Sequence, residues 1–140
     1  DEKGNKVLGL HEINGDLYYF RRGGAYKYTQ LGDMWQDSIN YIDGKIYYFG
    51  HDGRAIKNRF YQWGNYWYYF YSDGSAATGA VQINGQQLYF DKNHGRQVKG
   101  AFAPDGHYYD ENSGELVTNQ TRTIKGVTYH FDENGNATKV

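Results

Sequence analysis

The chain has 140 residues and a formal net charge of −1 at pH 7, and it is rich in glycine and tyrosine (19 and 16 residues), with one proline and no cysteine. The length suits a single domain, and the near-neutral charge gives no electrostatic reason to expect nucleic acid or an anionic membrane surface as a partner. No apolar run approaches the roughly 20 residues of a membrane-spanning helix, so no membrane insertion is expected, and the lack of cysteine excludes disulfides and thiolate metal sites.

One short pattern recurs six times along the chain: a turn dipeptide, a short aromatic strand, and a glycine four or five residues beyond it. The strands end in an aromatic anchor, at Phe20, Phe49, Phe70, Phe90, Tyr109 and Phe131. The turn dipeptides, in the same order, are Asn14-Gly15, Asp43-Gly44, Gly64-Asn65, Asn84-Gly85, Asp105-Gly106 and Lys125-Gly126. Because Asn-Gly and Asp-Gly supply the positive φ angles of two-residue hairpin turns, each unit predicts a β-hairpin followed by a second turn.

The spacing of these units predicts the fold. A single hairpin is barely stable in water, so neighbouring hairpins must cover each other's aromatic faces. The period is about 20 residues, at the low end for stacked repeats, and helical periodicity is missing. We therefore expect an all-β fold, a β-solenoid of about six stacked β-hairpin repeats of roughly 20 residues.

Residues 25–40 interrupt the rhythm between the first and second anchors. This segment is longer than the other connections and contains Met34 and Trp35. It is either a degenerate repeat or a loop that packs Trp35 over the repeats, and the sequence leaves both interpretations open.

Two stretches carry a resemblance to a known family. They are residues 67–70 followed by Asp73 and Gly74, and residues 88–91 followed by the Gln-Val-Lys-Gly of residues 97–100. Both resemble the glucan-binding and cell-wall-binding repeats of glucansucrases of the dextransucrase type, of choline-binding proteins and of large clostridial toxins. The resemblance spans residues from about 9 to 137 and is strongest for the glucansucrase version.

The resemblance implies a function for the whole chain. Residues 1–140 would form a single glucan-binding repeat domain, a piece of a larger multidomain protein that is bacterial and secreted or attached to the cell surface. In this family, pockets between neighbouring hairpins hold α-glucan polysaccharide or oligosaccharide, and the catalytic domain of the parent enzyme transfers glucosyl units from sucrose. The chain itself would be a non-catalytic, monomeric module without a cofactor.

Candidate binding residues lie at two repeated positions. The residue before each anchor is usually tyrosine, as at Tyr48, Tyr69, Tyr89 and Tyr108. Strand alternation sends these rings to the face opposite the anchors, where an exposed ring would stack on the apolar face of a sugar. The alternative is that both aromatic sets only hold the repeats together. By family resemblance, Tyr89 is the best candidate for a stacking ring.

Gln97 and Lys99 form the second candidate pair. They lie two residues apart on a strand, so their side chains share a face, and an amide beside an ammonium group can bind vicinal hydroxyls of a sugar. The corresponding pairs elsewhere are Tyr26 and Tyr28, Ala55 and Lys57, Ala76 and Thr78, Leu116 and Thr118, and Ala137 and Lys139. Only the fourth repeat keeps both polar groups, so the glucan-binding pattern implies one complete pocket where the fourth and fifth hairpins meet. The alternative is a solvated strand edge.

Other chemistry finds no support in the sequence. The Asp-x-Asn-x-Gly turns at Asp91 and Asp110 lack the terminal glutamate of a calcium loop, and the five histidines lie apart from one another without metal-ligand spacing. We therefore expect neither a metal site nor a catalytic site. The alternatives for function are a choline- or teichoic-acid-binding cell-wall module, a toxin-type repeat module, and a structural spacer whose pockets have decayed.

Overall fold

The computed structural model describes residues 9–21, 33–34 and 38–140, and every regular element in this part of the chain is a β-strand. The strands are β1 (Gly9–Ile13), β2 (Asp16–Arg21), β3 (Asp33–Met34), β4 (Ser38–Ile42), β5 (Lys45–Phe49), β6 (Arg59–Trp63), β7 (Tyr66–Phe70), β8 (Gly79–Ile83), β9 (Gln86–Phe90), β10 (Ala101–Phe102), β11 (Tyr108–Tyr109), β12 (Gln120–Ile124), β13 (Val127–Phe131) and β14 (Ala137–Lys139). They form six small sheets, each built on one hairpin. The predicted all-β class and the repetition are confirmed.

The hairpins follow the turn signals. In β8–β9, for example, Ile83 pairs with Gln86, and the two turn residues Asn84 and Gly85 have φ angles of 53° and 82°. The fifth hairpin differs from the expectation of a two-residue turn, because Phe102 pairs with Tyr108 and residues 103–107 form the loop. Pro104 lies in this loop and has no N–H to donate to a strand ladder.

After each hairpin the chain turns back and runs for a few residues beside the anchor. Bridges join Phe49 to Ala55, Phe70 to Ala76, Phe90 to Gln97 and Tyr109 to Leu116, and in the last repeat β14 pairs Ala137 with Phe131. We call this part of each repeat the returning segment. An aspartate often stabilises the turn that leads into it: Oδ1 of Asp91, for instance, accepts hydrogen bonds from the backbone N–H groups of Asn93 and His94.

The interruption at residues 25–40 contributes one short strand. In the described part of this segment, β3 pairs with β2, with Met34 opposite Phe20 and Asp33 opposite Arg21. The segment therefore supplies a third strand to the first hairpin, as β14 does for the last one. Trp35, Tyr26 and Tyr28 lie outside the described residues.

The described residues group into two compact units. One contains residues up to 61 together with 69–76, and the other contains residues 62–68 together with 77–140, so the β6–β7 hairpin contributes to both. The solenoid arrangement and the single domain over residues 1–140 remain predictions.

The core of both units is largely aromatic. Phe49, Phe70, Phe90 and Phe131 are fully buried. The tyrosines that precede the anchors are not an exposed set, because Tyr48, Tyr89 and Tyr108 retain only 4%, 2% and 6% of their surface. The physical reason is that neighbouring elements also cover this second face.

Among the described residues there is no helix of the length and apolar character needed to span a membrane.

Candidate functional site

The returning segments of the second, third, fourth and fifth repeats are each hydrogen-bonded to the repeat before them. In the first unit, the N–H of Ala55 donates to the carbonyl of Leu17 at 2.8 Å. In the second unit, Gln97 N–H donates to Trp67 and Leu116 N–H donates to Gln87, each at 2.8 Å. The acceptor is always the second residue of the second strand of the preceding hairpin, so the contact is part of the repeat.

The repeat that follows contacts the returning segment as well. Its turn glycine lies against the first residue of the returning segment: Gly74 against Ala55, Gly114 against Gln97, and Gly135 against Leu116. We call each such place, formed by elements of three successive repeats, a junction, and name it by the first residue of its returning segment.

Three junctions each lie entirely within a single unit, the Ala55 junction in the first unit and the Gln97 and Leu116 junctions in the second, and their side chains differ in chemical character. The Ala55 junction contains Leu17, Ala55, Lys57 and Gly74; the Gln97 junction contains Trp67, Gln97, Lys99 and Gly114; and the Leu116 junction contains Gln87, Leu116, Thr118 and Gly135. Of these three, only the Gln97 junction combines an aromatic ring, a carboxamide and an ammonium group. It is the candidate functional site.

The side chains of the Gln97 junction are arranged around Lys99. Its Nζ lies 5.4 Å from the centre of the Trp67 ring and 3.5 Å from the carbonyl oxygen of Asn112, to which it donates a hydrogen bond. The carboxamide of Gln97 lies over the Cα of Gly114. Trp67, Gln97 and Lys99 are all half-buried, so each is held by packing while part of its surface stays accessible.

This arrangement has the groups that a neutral sugar needs. An indole ring offers an apolar face for the C–H groups of a pyranose. The carboxamide both donates and accepts, and an ammonium group bound to one carbonyl still has further N–H donors for hydroxyl groups. Because the ring, the amide and the ammonium group come from one junction, they could act on one sugar unit.

A second cation–aromatic pair anchors the same returning segment. The guanidinium of Arg96 lies 4.2 Å from the centre of the Tyr66 ring. Tyr66 and Trp67 are adjacent on β7, so their rings point to opposite faces of that strand. Cations over rings on both faces hold the segment in place and stabilise the geometry of Gln97 and Lys99.

The predicted tyrosines lie elsewhere. Tyr89 is in a buried cluster with Ala103 and Tyr109, and its ring centre is 5.7 Å from that of Tyr109. In the first unit, Tyr48 packs on Tyr61 at 4.7 Å, and half-buried Tyr69 packs edge-on against Phe60 at 4.8 Å. The burial of Tyr48 and Tyr89 matches the alternative stated for them, in which the rings hold the repeats together, whereas Tyr69 keeps part of its surface exposed.

Tyr108 borders the larger of two described cavities. This cavity, of about 410 Å³, lies in the second unit, and its lining residues are Gly100, Tyr108, Glu111, Arg122, Thr123, Ile124 and Lys125. The second cavity, of about 230 Å³, lies in the first unit, where the Arg54 guanidinium pairs with Asp16 and Asp52.

An ion pair fixes the wall of the larger cavity. Nη1 of Arg122 lies 2.8 Å from Oδ1 of Asp110. The backbone N–H of Ser113 and then this guanidinium lower the pKa of the Asp110 carboxyl group below its usual value, so the carboxylate stays charged over a wide pH range.

Gln97 and Lys99 meet the fifth repeat at Asn112 and Gly114, where the sequence predicts the complete pocket. Trp67 is the residue that sequence reasoning missed at this place. It belongs to the third repeat, and the only signal is that the same strand position holds Leu17, Ile46 and Gln87 in other repeats. In the part of the chain that the structure describes, no group of three or more His, Cys, Asp or Glu side chains could hold a metal ion.

Family models match two parts of the chain. The choline-binding repeat matches residues 77–120, and the putative cell wall binding repeat matches residues 58–76 and 122–137. The residues of the Gln97 junction fall within these matches.

Similar proteins are much longer than this chain. Glucosyltransferase-S of Streptococcus mutans serotype c is 35% identical over 98% of the chain, which covers 11% of that protein. Glucosyltransferase-I of Streptococcus downei is 36% identical over 96% of the chain, which covers 8% of that protein. The chain thus spans about a tenth of the length of the curated relatives that it matches.

Solved structures share the fold. Choline binding protein F from Streptococcus pneumoniae superposes with a TM-score of 0.75 at 24% identity, over 94% of this chain and 45% of that one. The structure of the protein CbpF in complex with ipratropium superposes with a TM-score of 0.76 at 28% identity, over 99% of this chain and 40% of that one.

Proposed function

Because the chain belongs to the family of cell-wall-binding repeats that streptococcal glucosyltransferases contain, we propose that it is a non-catalytic module that binds α-glucan chains of the dextran type. One observation carries the proposal: the Gln97 junction brings an indole ring, a carboxamide and an ammonium group to one half-buried place. These are the groups that recognise a neutral pyranose.

The proposed site differs from the predicted one in its aromatic residue. Trp67 takes the role that the sequence suggested for Tyr89, while Gln97 and Lys99 keep theirs. Tyr108 remains a candidate through its position at the larger cavity, whose polar lining suits further sugar units. We assign Tyr48, Tyr69 and Tyr89 to the packing that supports the site.

A choline-binding function is less well supported, although one matching family model and the similar folds bear that name. A quaternary ammonium ligand needs several aromatic faces around it. At the Gln97 junction one indole is present, and the ammonium group of Lys99 already lies 5.4 Å from its centre. A second cation at that ring would be repelled.

The wider proposal concerns the parent protein. We infer that the repeats stack as a β-solenoid and that the chain is a monomeric module of a secreted or surface-attached bacterial enzyme. That enzyme would transfer glucosyl units from sucrose. The module would hold the growing polymer close to the catalytic domain.

Affinity electrophoresis tests the proposed function. The chain is run through gels that contain dextran, a mutan-type α-glucan or starch, and in parallel over a choline-type resin. We expect retardation in dextran and no retention on the resin. A single pocket would bind an oligosaccharide weakly, near a millimolar dissociation constant or about 4 kcal/mol, so polymer should be held more strongly than short oligosaccharides.

The control for this experiment is the triple variant Trp67→Ala, Gln97→Ala, Lys99→Ala, which should keep its β-sheet circular dichroism and lose the retardation. If the unaltered chain runs at the same speed in every glucan gel, the proposal fails and a structural spacer becomes the better interpretation.

A further inference from the structure

The backbone of Gly114 lies directly against both polar side chains of the Gln97 junction. A Cβ atom built on Gly114 would lie 2.2 Å from Nε2 and 3.1 Å from Cδ of Gln97, and 3.3 Å from Cγ of Lys99. Real Cβ atoms do not approach other heavy atoms to 2.2 Å, so any side chain at position 114 must displace the carboxamide.

The backbone conformation, with a φ of 75°, is one reason for the glycine at position 114. Left-handed positions in this chain also accept asparagine: Asn58 and Asn119, with φ angles of 59° and 53°, stand where other repeats have Gly79 and Gly100. The turn position behaves differently, because it is glycine in each of the five described repeats that contain it: Gly53, Gly74, Gly95, Gly114 and Gly135. At Gly85, a hairpin-tip glycine with a φ of 82°, a Cβ would meet nothing within 4 Å, whereas at Gly74, Gly114 and Gly135 it would also meet packed side chains.

The consequence of filling that space differs between junctions. At the Leu116 junction a Cβ on Gly135 would lie 2.7 Å from Cδ1 of Leu116, an apolar side chain. At the Gln97 junction the displaced group is the far end of a flexible polar side chain. It can rotate away at little cost to the fold, but it then leaves the position that it shares with Trp67 and Lys99.

We propose that Gly114 is a positioning residue of the glycan site, which seats the carboxamide of Gln97 and the stem of Lys99 beside Trp67. The inference rests on the proposed function, because it concerns binding at the same junction. It assigns a role in recognition to a turn glycine that has no functional group of its own.

The test compares Gly114→Ala with the matched control Gly135→Ala. Both glycines have left-handed φ angles, 75° and 82°, so both substitutions carry similar backbone strain, and only the first reaches Gln97. Apparent dissociation constants come from retardation at a series of dextran concentrations, and midpoints of thermal unfolding are measured on the same samples. We expect Gly114→Ala to weaken binding about tenfold or more, and Gly135→Ala to stay within about twofold of the unaltered chain.

A rescue variant separates positioning from stability. Adding Gln97→Ser to Gly114→Ala shortens the overlapping side chain, so the unfolding midpoint should rise towards that of the unaltered chain while binding stays weak. If Gly114→Ala does not fold, the pair Gln97→Ala, Gly114→Ala is examined instead. Recovery of folding in that pair supports the inference, and failure to fold shows that the turn alone requires the glycine.

The inference is overturned if Gly114→Ala binds dextran within about twofold of the unaltered chain, or if both alanine variants lose binding equally. Absence of binding by the unaltered chain contradicts the proposed function and this inference with it. Retention of the unaltered chain together with full retention of Gly114→Ala contradicts the inference alone.

Discussion

At the scale of single residues, exposure separates aromatic rings that support the fold from those that can reach a ligand. Tyr89 and Tyr109 are 2% exposed, while Trp67 is half-buried and carries Lys99 at its ring. A buried ring contributes mainly to stability, and a half-buried ring beside polar groups can contribute to binding. The two roles predict different effects of the same substitution.

Trp67→Ala and Tyr89→Ala should therefore have opposite profiles. We expect Trp67→Ala to abolish retardation in dextran gels with a modest loss of stability. Tyr89→Ala leaves a cavity in the core and should cost roughly 3–5 kcal/mol of unfolding free energy. Urea denaturation measures the unfolding free energy of both variants, and affinity electrophoresis measures their binding to dextran. Loss of retention by Tyr89→Ala at unchanged stability would return the stacking role to Tyr89.

Carboxylates that accept hydrogen bonds in the folded state make stability depend on pH. The backbone N–H of Ser113 and the Arg122 guanidinium lower the pKa of Asp110, and hydrogen bonds likewise lower the pKa of Asp132, Asp73 and Asp52. A carboxyl group with a lower pKa in the folded state stabilises the fold above its unfolded-state pKa of about 4. That stability is lost as the pH falls towards the folded-state pKa.

Asp110→Asn tests this pH dependence. At pH 7 the variant should be less stable than the unaltered chain by about 1.5–3 kcal/mol, the range for hydrogen bonds to a charged group. Below about pH 4 the difference should shrink, because the unaltered chain loses the same interaction on protonation. Glu133→Gln, at an exposed position of a similar turn, is the control and should follow the unaltered chain. A difference that stays constant from pH 7 to pH 2 would contradict the assignment.

At the scale of elements, glycines at the two turns of a repeat meet different structural requirements. Gly85 lies in the tip of the β8–β9 hairpin, where a Cβ would meet nothing within 4 Å. Gly74 lies in the turn before a returning segment, where a Cβ would meet Leu17, Ala55 and Tyr47 at 3.3–3.4 Å. Both have positive φ angles, of 82° and 86°. Only the second also faces packed side chains.

Gly74→Ala should consequently destabilise the protein more than Gly85→Ala. The cost at Gly85 is conformational strain alone, about 1–2 kcal/mol for a left-handed residue with a Cβ. At Gly74, overpacking adds about 1 kcal/mol, the low end of its range, because the tightest contact of the new Cβ would be 3.3 Å, to Cδ2 of Leu17. Urea denaturation of both variants gives the comparison. Equal losses would show that the turn glycines are required only for their φ angles.

At the scale of the whole molecule, stability comes from neighbouring repeats. In the second unit, Phe131 of the last hairpin is fully buried, and it clusters with Tyr108 and Val117 of the fifth repeat. The last hairpin therefore covers one side of the fifth repeat. In stacked repeats, each unit contributes its own stability and an interface with its neighbour.

Deletion of residues 123–140 tests this account. We expect the shortened chain to keep the β-sheet circular dichroism of the remaining hairpins and to unfold at a lower temperature, because only one interface is lost. Complete loss of the β-sheet signal would point to a single cooperative core and would count against stacked repeats.

The amino-acid sequence by itself determined the hairpins. Asn84 and Gly85 specify a tight turn through φ angles that few other residues adopt, and the phenylalanine anchors, such as Phe90, mark one buried position in each repeat. These are local effects within a few residues. The exception is the fifth hairpin, where Pro104 accompanies a longer loop than the Asp-Gly signal predicts.

Only the tertiary structure decided which residues meet at the candidate site. Gln97 and Lys99 were identifiable from the sequence, because only the fourth repeat keeps both polar groups at these two repeated positions. Trp67 and Gly114 were not, because they belong to the preceding and the following repeat and reach Gln97 through a backbone hydrogen bond and a close approach. Periodicity shows that positions are equivalent, whereas packing decides which repeats touch. The burial of Tyr89 also depends on packing between repeats. Strand alternation determines the face to which a side chain points, but not which neighbouring residues cover that face.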